Sequence, residues 1–160
     1  MSKRKHTTNY PSSCHATLSL EGKNMDPDLI IDTLGIKPKV LRYKDGYGVC
    51  QRIGGKEIYS SPKKKNTFSE WAIGSHRNAK TILNSLRSIN SKITPCHQKL
   101  KKILRDGDVE SISLYINVEL SSSPFVKLTI PNNELKKLIS LASETNKPLE
   151  VDLFLEVPGR

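Results

Sequence analysis

The chain has 160 residues, 36% of them hydrophobic, and a formal net charge of +10. That length and apolar share support a single domain with a modest core, and nine Gly and nine Pro are too few for a collagenous or low-complexity chain. No run approaches the ~18 apolar residues of a membrane-spanning helix, and none follows the basic start Lys3-Arg4-Lys5, so neither membrane contact nor a secretory leader is expected, and a cytoplasmic location is.

Residues 1–12 are polar and basic and read as a disordered arm before a single α+β domain over 13–158. From His15 to Leu20 the residues alternate, with Ala16, Leu18 and Leu20 on one face of a half-buried strand. A short helix follows at about 26–34. Asp26 suits the cap, Pro27 the first turn, where no amide donor is needed, and Gly35 the left-handed position after the last turn. The stretch from 36 to 74 reads as strands, at Val40–Tyr43, Val49–Ile53, Lys56–Tyr59 and Thr67–Ile73. Gly54-Gly55 fits a tight hairpin, and Ser61 to Asn66, with Lys63, Lys64 and Lys65, reads as an exposed loop. Two helices come next. One runs from about Asn78 to Ile89 and is interrupted at Asn90-Ser91, and the other restarts at Thr94-Pro95.

The last third alternates most clearly. Ile112, Leu114, Ile116, Val118 and Leu120 share one strand face, and Val126, Leu128 and Ile130 mark a second strand. Leu135, Leu138, Ile139 and Ala142 form a helix, and Leu149 to Val157 a final strand. Strict alternation means a sheet buried on one face, with helices on that face alone. The expected class is a two-layer α+β fold with a largely antiparallel sheet, containing a ferredoxin-like βαββαβ unit and a further β-α-β extension.

Charge is segregated along the chain. Residues 1–106 hold 21 Lys and Arg against 8 Asp and Glu, for +13, whereas residues 107–160 hold 5 against 8, for −3. Cys14, Cys50 and Cys96 form no CxxC pair, so no disulfide, metal site or cofactor is expected, and Cys14 and Cys96 read as buried thiols. The outward residues of the late strands form an acidic face with two aromatics. Tyr115, Asn117, Glu119, Glu150, Asp152 and Phe154 are its candidate partner-binding residues, because exposed aromatics on a sheet anchor partners.

The sequence Ala16-Thr17-Leu18-Ser19-Leu20, then Asp26-Pro27 and Leu34-Gly35-Ile36-Lys37-Pro38, with Trp71, the leucine-spaced helices at 82–104, Pro131 to Leu135 and Val151-Asp152-Leu153, resembles domain-of-unknown-function family 4279. The resemblance covers about residues 14–156. It implies a small bacterial α+β protein with no assigned activity, of a kind associated with immunity or defence. It also implies that the stretch from about 47 to 66 and the basic arm are additions to the family pattern.

The chain carries no phosphate-binding loop, no nucleophile elbow, no HExxH and no dinucleotide fingerprint. No catalytic residue is assigned, although the spacing leaves open whether His15 and His76 meet. The expected function is a non-enzymatic binding module with a protein partner, and its opposite charges also permit self-association. The alternative is a weakly sequence-specific nucleic-acid binder, or a binder of an acidic partner. It would use Lys3, Arg4, Lys5, Lys37, Lys39, Arg42, Lys44, Arg52, Lys56, Lys63, Lys64 and Lys65, with Tyr43, Tyr47 and Tyr59 interleaved for stacking.

Overall fold

A computed structural model describes residues 11–53, 56–76, 79–120 and 128–157 of the chain. Its centre is strand β1 (Ser13–Gly22), which pairs antiparallel with β5 (Ser69–Gly74) on one side and with β6 (Ser111–Glu119) on the other. Strands β2 (Val40–Arg42), β3 (Tyr47–Ile53) and β4 (Lys56–Lys65) continue the sheet beyond β5, and β7 (Leu149–Glu156) closes the other edge. The order is β4-β3-β2-β5-β1-β6-β7, and every neighbouring pair is antiparallel except β6 with β7.

The largely antiparallel, two-layer α+β arrangement read from the sequence is present. Its finer description needs adjustment. A ferredoxin-like unit joins its second and third strands by a hairpin, whereas here the chain leaves β2, runs through β3 and β4, and only then returns as β5. The extension passes from β6 through helix α4 (Asn132–Glu144) to the parallel β7. Residues 128–130 of the expected strand there carry no strand, and its remainder lies outside the described residues.

Alternation sets which face is buried. Cys14, Ala16, Leu18 and Leu20 of β1, Trp71 and Ile73 of β5, and Ile112, Leu114, Ile116 and Val118 of β6 all point into the core. The helices α1 (Pro27–Leu34), α2 (Ile82–Ile93) and α3 (His97–Asp106) cover them with Ile30, Leu86, Ile89, Leu100 and Leu104. The opposite face is not uniformly solvated, as strict one-sided burial would require. Ser19, Ala72 and Ser113 are buried there too, as small residues between the longer Arg42, Glu70 and Tyr115.

Local signals account for most boundaries. Asp26 Oδ1 accepts the Asp28 amide at 3.0 Å, Pro27 opens α1, and Gly35 at φ 67° donates its N–H to Ile31 O at 2.8 Å. The left-handed conformation at Gly35 is one that a Cβ disfavours. Helix α2 differs from expectation at both ends. It starts at Ile82, where Thr81 Oγ1 accepts the Asn84 amide, and it runs through Asn90-Ser91 to Ile93. The break falls at Pro95, which lacks an amide donor, in a single 3-10 turn at Thr94–Cys96. Asn90 stays helical because its side chain is used elsewhere: Nδ2 donates to Glu134 Oε2 at 2.6 Å and to Glu134 O at 3.1 Å, tying α2 to α4. The expected loop at 61–66 is instead strand up to Lys65, whose partner is Tyr47 across a bulge, while Asn66 Nδ2 donates to Tyr43 O and Gly48 O. Gly54-Gly55 and residues 1–10 lie outside the described residues. Cys14 and Cys96 are buried as expected, and burial raises both thiols above the usual value.

Leu114→Ala removes a side chain with no exposed area and should cost about 2–5 kcal/mol, read as a lower urea midpoint at unchanged slope. Its register partner Val151 is 45% exposed, so Val151→Ala should cost less than about 1 kcal/mol. A second outcome concerns acid. Glu134 is held below the ordinary carboxylate value of 4.5, first by the Asn90 amide and then by Lys137. A depressed carboxylate contributes stability that is full above its unfolded value and lost as pH falls through the folded one. Glu134→Gln should therefore flatten the fall of melting temperature below about pH 4.5.

Candidate functional site

The structure places the two predicted surfaces differently. Tyr115, Asn117 and Glu119 on β6 lie beside Asp152, Phe154 and Glu156 on β7, and Ser113 beside Glu150, so the predicted acidic face forms one continuous surface. The rings of Tyr115 and Phe154 stand 6.3 Å apart at 35°. Glu21 and Glu70, opposite each other on β1 and β5, extend the acidity inward. Burial first, then the Glu70 charge, raises the Glu21 carboxyl above its usual value.

The basic set is divided. Lys3, Arg4 and Lys5 lie outside the described residues. Lys44, Lys56, Lys63, Lys64 and Lys65 are exposed on or beside the β3–β4 hairpin, and Lys65 Nζ sits 5.9 Å from the Tyr47 ring centroid. Arg42 is committed to the fold. Its Nε lies 3.4 Å from Glu70 Oε2, its guanidinium stacks 4.7 Å from the Phe68 centroid, and Glu70 Oε1 accepts from Ser19 Oγ at 3.0 Å. Arg42 is thus half of an ion pair whose carboxylate is buried. Arg52 pairs with Glu57 at 2.5 Å. The Arg52 hydrogen bond, then that of Tyr59, holds the Glu57 carboxyl below its usual value, and the same Glu57 contact pushes the Tyr59 hydroxyl up to about 12.

A concave site gathers where β1, β2, β3 and β5 come together near α2. It is a cleft of about 570 Å³ lined by His15, Lys37, Pro38, Lys39, Arg52, Ile73, Gly74, Ser75 and Lys92. Backbone bonds fix its walls. The Lys39 N–H donates to Ala72 O at 2.6 Å and the Arg52 N–H to Lys39 O at 2.7 Å, so Lys39 is stitched between β5 and β3. On the other wall the Ser75 N–H donates to Ala16 O at 2.8 Å, and Ser75 Oγ accepts the Ala16 amide at 2.9 Å.

Two lysines converge on Gly74. Lys92, reaching from α2, donates its ammonium to Gly74 O. The stem of Lys39 crosses the same glycine so closely that a Cβ there would stand 2.5 Å from Lys39 Cδ and 3.5 Å from its Nζ. Burial, and then the Lys39 charge, holds the Lys92 amine below the ordinary lysine value. Two ammonium groups brought close in a half-buried place repel each other. None of the described lining residues is acidic, and Arg52 is paired to Glu57.

Lys37, Lys39 and Arg52 belong to the predicted basic surface, and His15 is one of the two histidines whose meeting the spacing leaves open. His76 is not among the lining residues, so the cleft does not unite the two histidines. Lys92 was missed. Its signal was position: it follows Ile89 by three residues and borders Ile93, at the margin of the buried helical stripe. Among the described residues, no group of three His, Cys, Asp or Glu is placed to hold a metal ion, and no helix is long and apolar enough to cross a membrane.

The family model described as a domain of unknown function (DUF4279) matches residues 12–153. The chain belongs to this family. No curated protein and no solved structure matches it. Within the DUF4279 domain the match runs through β1, the cleft and most of β7. Because the family description assigns no activity, residue roles rest on the geometry alone.

Arg42 and the hairpin lysines can be separated by stability. Arg42→Met leaves Glu70, 9% exposed, as a buried carboxylate without its cation. It should cost about 1–3 kcal/mol, read by thermal unfolding. Lys63→Ala, Lys64→Ala and Lys65→Ala should each stay within about 0.5 kcal/mol of the parent.

Proposed function

We propose that this DUF4279 chain is a domain that works by binding rather than by turnover, and that it holds an anionic ligand in the basic cleft. The observation that carries the reading is the convergence of Lys39 and Lys92 on Gly74. Lys37 and Arg52 stand on the walls, and no described lining residue is acidic, so the cleft is a basic concavity of the kind that concentrates anions. Backbone hydrogen bonds tie Lys39 to Ala72 and Ser75 to Ala16, so the backbone on the lysine side is ordered before a ligand arrives, which reduces the ordering cost of binding.

A second reading is favoured by the adjacent Tyr115 and Phe154 rings on the outward face of β6 and β7. Phe154 is 48% exposed and flanked by Glu150, Asp152 and Glu156. An amphipathic aromatic pair within an acidic surround suits a basic protein partner. In this reading Phe154→Ala releases a co-purifying protein while leaving anion binding intact.

The cleft reading is tested by melting the protein at low salt with inorganic pyrophosphate, a single-stranded oligonucleotide and polyglutamate. At a hundredfold excess over Kd a specific anion stabilises by about 2.7 kcal/mol, or about 5–10 °C for a chain of this size. At least one probe should raise the melting temperature. The Lys39→Met/Lys92→Met double variant should abolish that rise, and no rise with any of the three overturns the reading.

A further inference from the structure

The cleft is joined to the β3–β4 hairpin by a chain of side chains. Arg52 lines the cleft and pairs with Glu57 at 2.5 Å, and Glu57 Oε2 accepts the Tyr59 hydroxyl at 2.9 Å. Parity puts Arg52 and Cys50 on one face of β3, and register sets Cys50 beside both Tyr59 of β4 and Leu41 of β2. Tyr43, two residues past Leu41, donates its hydroxyl to Asp28 of α1 at 2.6 Å, so it lies on that face as well. Both rings are accessible, Tyr59 at 69% and Tyr43 at 40% exposure. Each is tethered at its hydroxyl tip, which orients the ring and leaves its flat face to a ligand.

Beyond the rings the hairpin turns basic again. Between the pairs Val49 with Ser60 and Tyr47 with Lys65, Gly48 alone spans the β4 residues 61–64, so the ladder bulges, and Lys63, Lys64 and Lys65 are exposed there. The Asp45 amide donates to Asn66 O at 2.9 Å, which brings the exposed Lys44 to the same end. From Tyr43 to Asn66 six Lys and Arg stand against two Asp and Glu, for +4. The order along the hairpin is therefore basic cleft, tyrosine pair, lysine cluster. Arg52 lies five residues from Tyr47 on β3, about 17 Å of extended chain. Cations neutralise phosphates and exposed aromatic rings stack on unpaired bases, so a single strand uses every part of this surface. A duplex keeps its bases stacked inside and gives the rings nothing to hold, and an acidic peptide would engage the lysines alone.

We propose, resting on the anion-binding reading above, that the ligand is a single-stranded nucleic acid. One of its phosphates occupies the cleft, the neighbouring bases stack on Tyr59 and Tyr43, and the phosphates beyond them lie over Lys63, Lys64 and Lys65. Recognition of ring faces and backbone charge carries little base preference.

The test is fluorescence-anisotropy titration of the full chain at low salt with a labelled thymidine oligonucleotide, the same strand in a duplex, and labelled polyglutamate. The single strand should bind, and its affinity should fall steeply as salt rises. Tyr59→Ala should weaken it by about five- to a hundredfold, with Tyr59→Phe close to the parent, because stacking needs the ring and not the hydroxyl. Lys92→Met should weaken the same strand severalfold, and Lys63→Gln, Lys64→Gln and Lys65→Gln combined should lower the salt slope by about two. A duplex bound as tightly as the single strand, or single-strand affinity indifferent to Tyr59→Ala or to Lys92→Met, overturns the proposal. Polyglutamate binding without oligonucleotide binding overturns it in favour of an acidic protein partner and leaves the anion-binding reading standing. Silence from the oligonucleotide and polyglutamate, together with no stabilisation by pyrophosphate, removes both.

Discussion

Everything in this molecule hangs from the double pairing of β1. The strand bonds to β5 through six register pairs and to β6 through nine, and its side chains alternate between two tasks. Cys14, Ala16, Leu18 and Leu20 fill the core, while His15, Thr17, Ser19 and Glu21 face the other way. A one-residue slip of β1 would exchange these sets, exposing the apolar row and burying a histidine and a glutamate. Register is thus enforced by the cost of both errors at once. The same pairing puts His15 beside the end of β5, where Gly74 and Ser75 form the floor of the cleft.

Cations serve three distinct ends. Some brace the fold: Arg42 against Glu70 and Phe68, and Lys101 against Glu144, which fastens α3 to α4. Some stand in water on the β3–β4 hairpin, where lysines also discourage edge-to-edge strand pairing. A third set is concentrated in the cleft. Net charge does not distinguish these uses. The excess of +13 over residues 1–106 is informative only after Arg42 has been assigned to its pair with Glu70 and Lys92 to the cleft.

Much of the architecture was legible because it rests on period. Alternation from Ser111 to Leu120 and from His15 to Leu20 located two central strands, and the Asp26, Pro27 and Gly35 signals bounded α1 within a residue. Misreadings arose where a distant partner decided the outcome. Asn90 and Ser91 look like a helix break locally, but Glu134, far along the chain, supplies the bond that keeps Asn90 helical and buried. The lysines at 63–65 look like a loop, yet the backbone of Tyr47 extends the ladder to Lys65. The acidic face could be read off strand alternation, since its residues are fixed by parity. The cleft could not, because its members come from three strands, the segment before β2 and a helix, and meet only through the strand order β3-β2-β5-β1, with Lys92 entering from α2.

The hairpin has a thermodynamic standing of its own. Each β4 side chain of described exposure, at 56–60 and 63–65, lies in solvent, so this strand holds through its backbone ladder to β3 and little else. Segments with few buried apolar contacts open at far lower free energy than the global transition. Amides of β4 should therefore exchange by local fluctuation, whereas those of β1 wait for the whole molecule to unfold. Arg52 belongs to that hairpin while Lys92 belongs to the core, so the two sides of one cleft are built from material of unequal rigidity: a firm side carrying the lysine pair and a yielding side carrying the arginine.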